Sequence, residues 1–425
     1  MSFALGVVPI ALLLLGFPIF LVLLTAVTVA LVFYMNVPLA ALHQNLFGSI
    51  NAYALLAIPY FIYAGELMGR GSVAQRLVDF VQGGVGFVRG SLGVTTVGTA
   101  TIFGAISGVS AAAVATIGKV MYPAMTKAGY PKPFAAGLIT AVGAIDIIIP
   151  PSIPMIVYGA AAQESVPRLY AAGILPGLLI AALIAGYVIW RAWSGNFGAG
   201  EPFNGQHFLR STVRGLWALG APVIILGGIY GGVFSPTEAA AVACVYAIFV
   251  TRVVFHELTM TEIVEAAAAT VRFTAQILII VACAGVFSWL LTVNQVPAAL
   301  VSFLQQLGVS QWSFLLAVNV LLLVVGCFLD PLSAILLLTP LLIPVVKALG
   351  IDTVHFGIVV MVNLAIGLFH PPFGINIFVA QSVLGIELKT LYRGIIPFVV
   401  LYLIALALIT FVPAISLVGV WVLLR

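Results

Sequence analysis

The sequence predicts an all-α membrane protein made of two inverted-topology repeats, each holding a re-entrant helical hairpin and a broken transmembrane helix. Composition is the first reason. Hydrophobic residues make up 63% and charged residues 7%, with a mean hydropathy of +1.26, against about 25% charged in a soluble domain. The second is a copy of the proline pattern. Pro344, Pro371, Pro372 and Pro397 fall on Pro123, Pro150, Pro151 and Pro176, 221 residues earlier, and Gly350 and Gly394 fall on Gly129 and Gly173. The window 123–176 holds eight prolines, so a blind overlay would match all four roughly once in several thousand trials. Upstream the register changes to 223, with Leu77, Val78, Phe80, Ser110 and Ala111 recurring as Leu300, Val301, Phe303, Ser333 and Ala334. The third is that each half carries one apolar segment too long for a single crossing and interrupted near its middle. Two related halves with breaks at corresponding places point to a secondary transporter whose site lies at the repeat interface.

In chain order, the first repeat is read over 1–193, a connection over 194–210 and the second repeat over 211–425. Spans are expected at 3–33 (kinked at Gly16-Phe17-Pro18), 54–68, 133–162, 168–193, 215–234, 237–254, 273–292, 354–384 and 390–418, against a requirement of about 20 apolar residues. The first apolar run has no preceding basic residue and no evident cleavage site, so a retained span is expected rather than a signal peptide. Segments 36–51, 73–89, 259–272 and 296–308 are more polar and flank spans, as interfacial helices or plain loops.

The interrupted segments are 91–128 and 311–349. The first carries Gly104-Ala105-Ile106-Ser107-Gly108-Val109-Ser110 and the second Cys327-Phe328-Leu329-Asp330-Pro331-Leu332-Ser333. Two half-length helices meeting at a tip fit both, because bare backbone at membrane depth survives only inside protein or beside a wet cavity; a kinked pair of crossings is the alternative. If both segments return to the side they entered, thirteen basic residues, Arg70, Arg76 and Arg89 among them, share one face, with Arg168, Lys347 and Arg425 opposite. The rich face is then cytoplasmic, and the hairpins enter from opposite sides.

Several function classes find no support. Cys244, Cys283 and Cys327 are widely spaced in apolar sequence and read as buried small hydrophobes. The five histidines are scattered, and no HExxH, GxSxG, Walker or GxGxxG pattern occurs. The net charge of +4 does not indicate nucleic acid; the basic residues sit between spans, where lipid and orientation explain them.

Asp330 is the most informative charge, because an ionised carboxylate inside an apolar hairpin costs on the order of 3 kcal/mol. With Ser333 and the carbonyls freed by Pro331 it forms a hard oxygen set suited to an alkali cation; a cap on the second half-helix is the other reading, and both can hold together. The repeat places Ser107 opposite Asp330 and Ser110 opposite Ser333, so the first tip has hydroxyls and Gly108 but no acid. The other half of each site is a proline pair, in Gly143-Ala144-Ile145-Asp146-Ile147-Ile148-Ile149-Pro150-Pro151-Ser152-Ile153-Pro154 and in Gly367-Leu368-Phe369-His370-Pro371-Pro372-Phe373-Gly374-Ile375-Asn376. Consecutive prolines force an unwound stretch, whose carbonyls can hold a cation while the next half-helix start favours an anion. A structural kink is the plainer alternative. Asn376 is a polar site candidate, and the role of Asp146 is open. Glu66 with Arg70, and Glu238 after Ser235-Pro236-Thr237, are assigned to architecture.

These stretches together resemble the large membrane subunit of tripartite ATP-independent periplasmic (TRAP) transporters. The likeness runs through Ala64-Gly65-Glu66-Leu67-Met68, Ser107-Gly108-Val109-Ser110-Ala111, Pro123-Ala124-Met125-Thr126-Lys127-Ala128-Gly129-Tyr130, Ile149-Pro150-Pro151-Ser152-Ile153-Pro154, Ala172-Gly173-Ile174-Leu175-Pro176-Gly177, Ser235-Pro236-Thr237-Glu238-Ala239 and Pro371-Pro372-Phe373-Gly374. The resemblance implies a multi-pass protein of the bacterial inner membrane that takes up organic acids with sodium. It implies a periplasmic substrate-binding protein and a small four-helix membrane subunit as partners, the latter expected as a separate chain. It also implies an elevator, with a transport domain of hairpins and broken spans moving against a scaffold. One sodium would involve Ser107, Gly108, Ser110, Gly143 and Pro150, and a second Asp330, Ser333, Gly367 and Pro371; Ser152 and Asn376 would face substrate. Two departures stand out. Ala111-Ala112-Ala113 occupies a place where many relatives carry an acid, and Asp146 falls where they usually have an apolar or small residue.

The expected activity is therefore sodium-coupled uptake of a carboxylate-bearing solute. One net positive charge moving inward gains about 2.3 kcal/mol per 100 mV, enough for roughly fifty-fold accumulation. A self-sufficient sodium/dicarboxylate symporter or ion antiporter of the same design is the alternative. An intramembrane aspartyl hydrolase using Asp146 and Asp330 is a rival from another class, disfavoured because the two acids lie in unmatched contexts.

Overall fold

The computed structural model describes residues 3–35, 37–38, 40–200 and 202–424, and among these the regular structure is helical throughout. Arg425, assigned above to the sparser face, and Glu201 of the expected connection lie outside the described residues. Helices α1 (Val8–Leu14), α2 (Ile19–Tyr34), α3 (Ala40–Ile50) and α4 (Ala57–Arg70) open the chain. The first repeat unit follows: α5 (Val73–Val85), the hairpin α6 (Ser91–Ser107) and α7 (Ser110–Lys127), the broken helix α8 (Lys132–Val142) and α9 (Ile153–Ala162), then α10 (Val166–Gly195). Helices α11 (Gly205–Tyr230), α12 (Pro236–Ile248) and α13 (Met260–Val293) lead to the second unit. It comprises α14 (Val296–Gln306), the hairpin α15 (Gln311–Gly326) and α16 (Pro331–Ala348), the broken helix α17 (Thr353–Phe369) and α18 (Ile375–Leu384), and α19 (Leu388–Phe411), before a terminal α20 (Ala414–Leu423).

The duplicated residues now have reasons. Gly129 and Gly350 each close a hairpin helix with φ of +82° and +71°, a left-handed turn that glycine enters without a Cβ clash. Pro123 and Pro344 sit inside α7 and α16, and Pro176 and Pro397 inside α10 and α19. Among the described residues six helices are long and apolar enough to cross a membrane singly, whereas α6, α9, α15, α17 and α18 are shorter apolar pieces. Half-length pieces are what hairpins and broken spans require. The chain is a multi-pass membrane protein.

One break falls where expected and three boundaries differ. The run at 3–33 separates into α1 and α2 at the expected Gly16-Phe17-Pro18, where Gly16 has φ +79°. Residues 259–272 are not a separate interfacial piece but the first turns of the 34-residue α13, started by Thr259 and Glu262 capping each other's backbone groups. Helix α11 begins at Gly205, inside the expected connection, because the Asn204 side chain accepts from the His207 N–H at 3.1 Å. The last span stops at Phe411, since Pro413 cannot continue it. The expected pairing at the tips also shifts. Helices α7 and α16 match at 221 over their full length, so Val109 rather than Ser107 stands opposite Asp330, and Ser110 opposite Pro331. The first tip has two residues between its helices and the second has four, which absorbs the change of register.

The two units interlock. Helix α8 packs along α19, α7 against α18, and α16 against α9, which puts both helix breaks in the middle of the fold. Every residue of α17 from Val354 to Phe369 is buried. Outside this centre, α13 packs on α2, α3 and α4, and α4 packs on α12. The ion pairs among the described residues fall into two groups. Arg70 reaches Glu66 at 3.5 Å and Glu265 at 3.3 Å, and Arg76 reaches Glu257 at 3.2 Å. At the start of α10 and α17, Arg168 meets Glu164 at 3.1 Å and Asp352 at 3.9 Å. Burial works to raise the Glu257 carboxyl, but the Ser72 hydroxyl and N–H together with Arg76 outweigh it and hold it below its ordinary range. Single cysteines placed at Arg89 and Gln311 in cysteine-free protein should react with impermeant maleimide from opposite sides of the membrane. Labelling of both from one side would contradict the inverted arrangement.

Candidate ion and substrate site at the helix breaks

The first hairpin tip closes on the first break. Pro150 and Pro151 bring no N–H, so the helix tightens to a 3-10 turn at Gly143–Ile147 and then unwinds. Pro150 cannot donate to the Asp146 carbonyl, and the Ile147 carbonyl accepts instead from the Ser152 hydroxyl at 2.7 Å. Ser152 also caps α9 through the Met155 N–H. Gly108 holds φ +61° and brings the tip so close that a Cβ there would lie 2.8 Å from the Pro151 carbonyl oxygen. The Ser110 hydroxyl donates to the Gly143 carbonyl at 2.7 Å and accepts from Asn376 Nδ2 at 2.8 Å. Asn376 also donates to the Thr140 carbonyl at 3.2 Å. Thus a residue from the second half completes the polar set of the first. Ser107 is buried, its hydroxyl accepting from the Val109 N–H at 3.2 Å.

The second tip meets the second break in the same sense with different chemistry. Backbones touch where a Cβ on Gly367 would lie 2.6 Å from the Gly326 carbonyl oxygen. Cys327 Sγ lies 3.2 Å from His370 Nδ1 and 3.8 Å from the Pro371 carbonyl. The rings of Phe328 and Phe373 meet tilted at 46° with centroids 5.7 Å apart, and the Tyr392 hydroxyl donates to the Pro372 carbonyl at 3.0 Å. Asp330 caps α16: one oxygen accepts from the Leu332 and Ser333 N–H groups at 3.0 and 3.1 Å, the other from the Ser333 hydroxyl at 2.5 Å. This break is more open than the first, since Pro372 and Phe373 are exposed while Pro150, Pro151 and Ser152 are buried.

Between the tips lies a cavity of about 290 Å³. It is lined by Gly108 to Ala111, Ile153 and Pro154, Asp330 to Leu332, Ile375 and Asn376, and on the far side by Phe273, Gln276, Ile277 and Ile280 of α13. The first residues of four helices, α7, α9, α16 and α18, therefore face one space. Their dipoles favour negative charge there, and at α16 the Asp330 carboxylate already takes that place.

A model of the tripartite ATP-independent periplasmic transporter DctM component matches residues 7–415. This chain belongs to that family. The large permease protein DctM of the C4-dicarboxylate TRAP transporter of Pseudomonas aeruginosa is 40% identical over 373 residues, covering 88% of this chain and 87% of its own. The large permease TeaC of the ectoine TRAP transporter of Halomonas elongata is 39% identical over 417 residues, covering 96% of each chain. The isethionate TRAP permease DctMQ of Oleidesulfovibrio alaskensis is 38% identical over 406 residues, which are 95% of this chain and 64% of that longer one. Among solved structures, the Alcanivorax borkumensis YdaH transporter superposes with a TM-score of 0.64 at 17% identity, covering 88% of each chain. That likeness concerns the fold alone.

Within this TRAP permease the tip residues Gly108 and Ser110 stand against Pro151 and Gly143 of the first break, with Ser107 buried beside them. Gly367, Pro371, Asp330 and Ser333 are divided between a tip–break contact and a helix start. Sequence reasoning missed Gln276, the polar side chain that α13 contributes to the cavity, because a lone glutamine in a long span carries no motif. It also treated Cys327 as plain packing. The thiol is buried, but its neighbour His370 lies 43 residues away in sequence, and only the fold joins them. Pro371→Ala combined with Pro372→Ala restores two backbone donors to the break. Uptake should fall about tenfold or more as the stretch rewinds, measured in vesicles at equal expression; wild-type rates would show the prolines to be incidental.

Proposed function

We propose that this TRAP permease chain imports a carboxylate-bearing organic acid across the bacterial inner membrane by sodium symport. A periplasmic binding protein delivers the solute, and a small four-helix membrane subunit completes the membrane part. The observation that carries the reading is the cavity where four helix starts converge beside two tip–break contacts. The helix starts suit an anionic head group, and Ser110, Asn376 and Gln276 offer hydrogen bonds to orient it. The hydroxyls and carbonyls at the breaks are hard oxygen ligands fitted to sodium, one ion at each tip–break pair. Relatives named for C4-dicarboxylates, sialic acid and ectoine support an organic acid as the cargo class. Substrate and ions would cross together as the hairpins and broken helices move as a block against α2, α4, α12 and α13, in an elevator.

The alternative activity, a self-sufficient symporter, is separated by one experiment. In proteoliposomes containing this chain and its small subunit, uptake should require both an inward sodium gradient and the binding protein in the external medium. Equal uptake without the binding protein would favour the alternative, and uptake indifferent to sodium would end the symport reading. The hydrolase idea gains nothing from the geometry. Asp330 caps its own helix, while Asp146 lies against Gly104 of the other hairpin.

A further inference from the structure

The first tip lacks an acid in its own sequence, yet the fold brings one to it. Asp146, in the 3-10 turn of the first break, is fully buried. Among the described residues no donor meets hydrogen-bond geometry at either carboxylate oxygen, and the polar groups beside it are the Ser107 hydroxyl and the Val109 N–H. It lies against the last turn of α6, where a Cβ on Gly104 would sit 2.6 Å from Asp146 Oδ1. The Val109 N–H donates to the Ser107 hydroxyl, and the Tyr402 hydroxyl donates to the Ala141 carbonyl. None of the ion pairs among the described residues includes it. In the other half the matching position, 221 residues on, is Gly367, packed on Gly326, so the carboxylate is an addition to one half of a duplicated design.

A buried carboxylate without a donor is strongly unfavourable unless a counter-charge or a proton joins it. The groups beside it, the Ser107 hydroxyl and the carbonyls of an unwound stretch, are hard oxygen ligands. We propose that Asp146 is the anionic ligand of the cation held between the first hairpin tip and the first break. This half of the molecule thereby obtains its acid from the broken helix rather than from the tip. The second half has the reverse arrangement, with Asp330 on the tip and glycine on the break. The proposal rests on the sodium-coupled reading above.

The test uses the purified complex of this chain with its small subunit. Thermal stability is followed as sodium replaces choline at constant ionic strength. The wild type should be stabilised by sodium, and Asp146→Asn should raise the sodium concentration for half-maximal stabilisation at least tenfold. Asp146→Gly reproduces the residue of the other half and provides a second variant should the amide misfold. A third arm needs only the wild type: sodium should slow modification of Asp146 by a hydrophobic carbodiimide, read by peptide mass spectrometry. An unchanged midpoint in either folded variant, or modification of Asp146 to equal extent with and without sodium, would overturn the assignment while the wild-type sodium response stands. A wild type indifferent to sodium in both stability and uptake would remove the underlying reading together with it.

Discussion

Asp330→Asn is expected to raise the sodium concentration for half-maximal uptake about tenfold, roughly 1.4 kcal/mol of lost ion affinity, with membrane insertion unchanged. The two consequences separate because of what Asp330 does. As the cap of α16 it accepts two backbone N–H bonds through one oxygen, a task asparagine performs about equally well. As the proposed ion ligand, at the edge of the cavity, it would supply a negative charge that asparagine cannot. A sodium titration of uptake identical to that of the wild type would leave Asp330 as a cap and nothing more.

The second large effect concerns packing. Gly394→Leu should yield little or no folded protein, through a destabilisation above the 1–3 kcal/mol usual for overpacking. A Cβ at Gly394 would sit 1.9 Å from the Pro133 carbonyl oxygen, and one at Gly137 2.1 Å from the Gly394 carbonyl oxygen. Both obstacles are backbone, so no rotamer change relieves them. This crossing of α8 and α19 joins the broken helix of one repeat to the last span of the other, and its loss would part the two units. Gly186→Ala, in the middle of α10 with nothing within 4 Å of the new Cβ, is the control and should be neutral or stabilise by about 0.5–1 kcal/mol. Monodispersity after detergent extraction checks both. A monodisperse Gly394→Leu variant with wild-type thermal stability would show that the helices slide apart at little cost.

Much of the architecture was readable because its causes are local. A proline pair breaks a helix wherever it stands, so both discontinuities could be placed from Pro150-Pro151 and Pro371-Pro372. The glycines at 129 and 350 mark helix ends because left-handed turns need them. Errors came where local signals compete. Thr259 and Glu262 start a helix in polar sequence, and its continuation into the apolar stretch is settled by an unbroken backbone, not by hydropathy. At the tips the conserved spacing of hydroxyls suggested one register, whereas helix boundaries follow another, since tip length is free to differ between the halves.

By itself the sequence determined the membrane class, the twofold copy and the positions of the breaks, since composition and proline chemistry act within a turn or two of chain. Only the tertiary structure decided which groups meet. Asn376 bonds Ser110 across 266 residues, Cys327 finds His370, and the unpartnered Asp146 comes to rest beside a tip whose own sequence has no acid. Such meetings depend on how helices of two interlocked repeats cross, and the crossings are set by backbone contacts at a few glycines whose partners the sequence does not name.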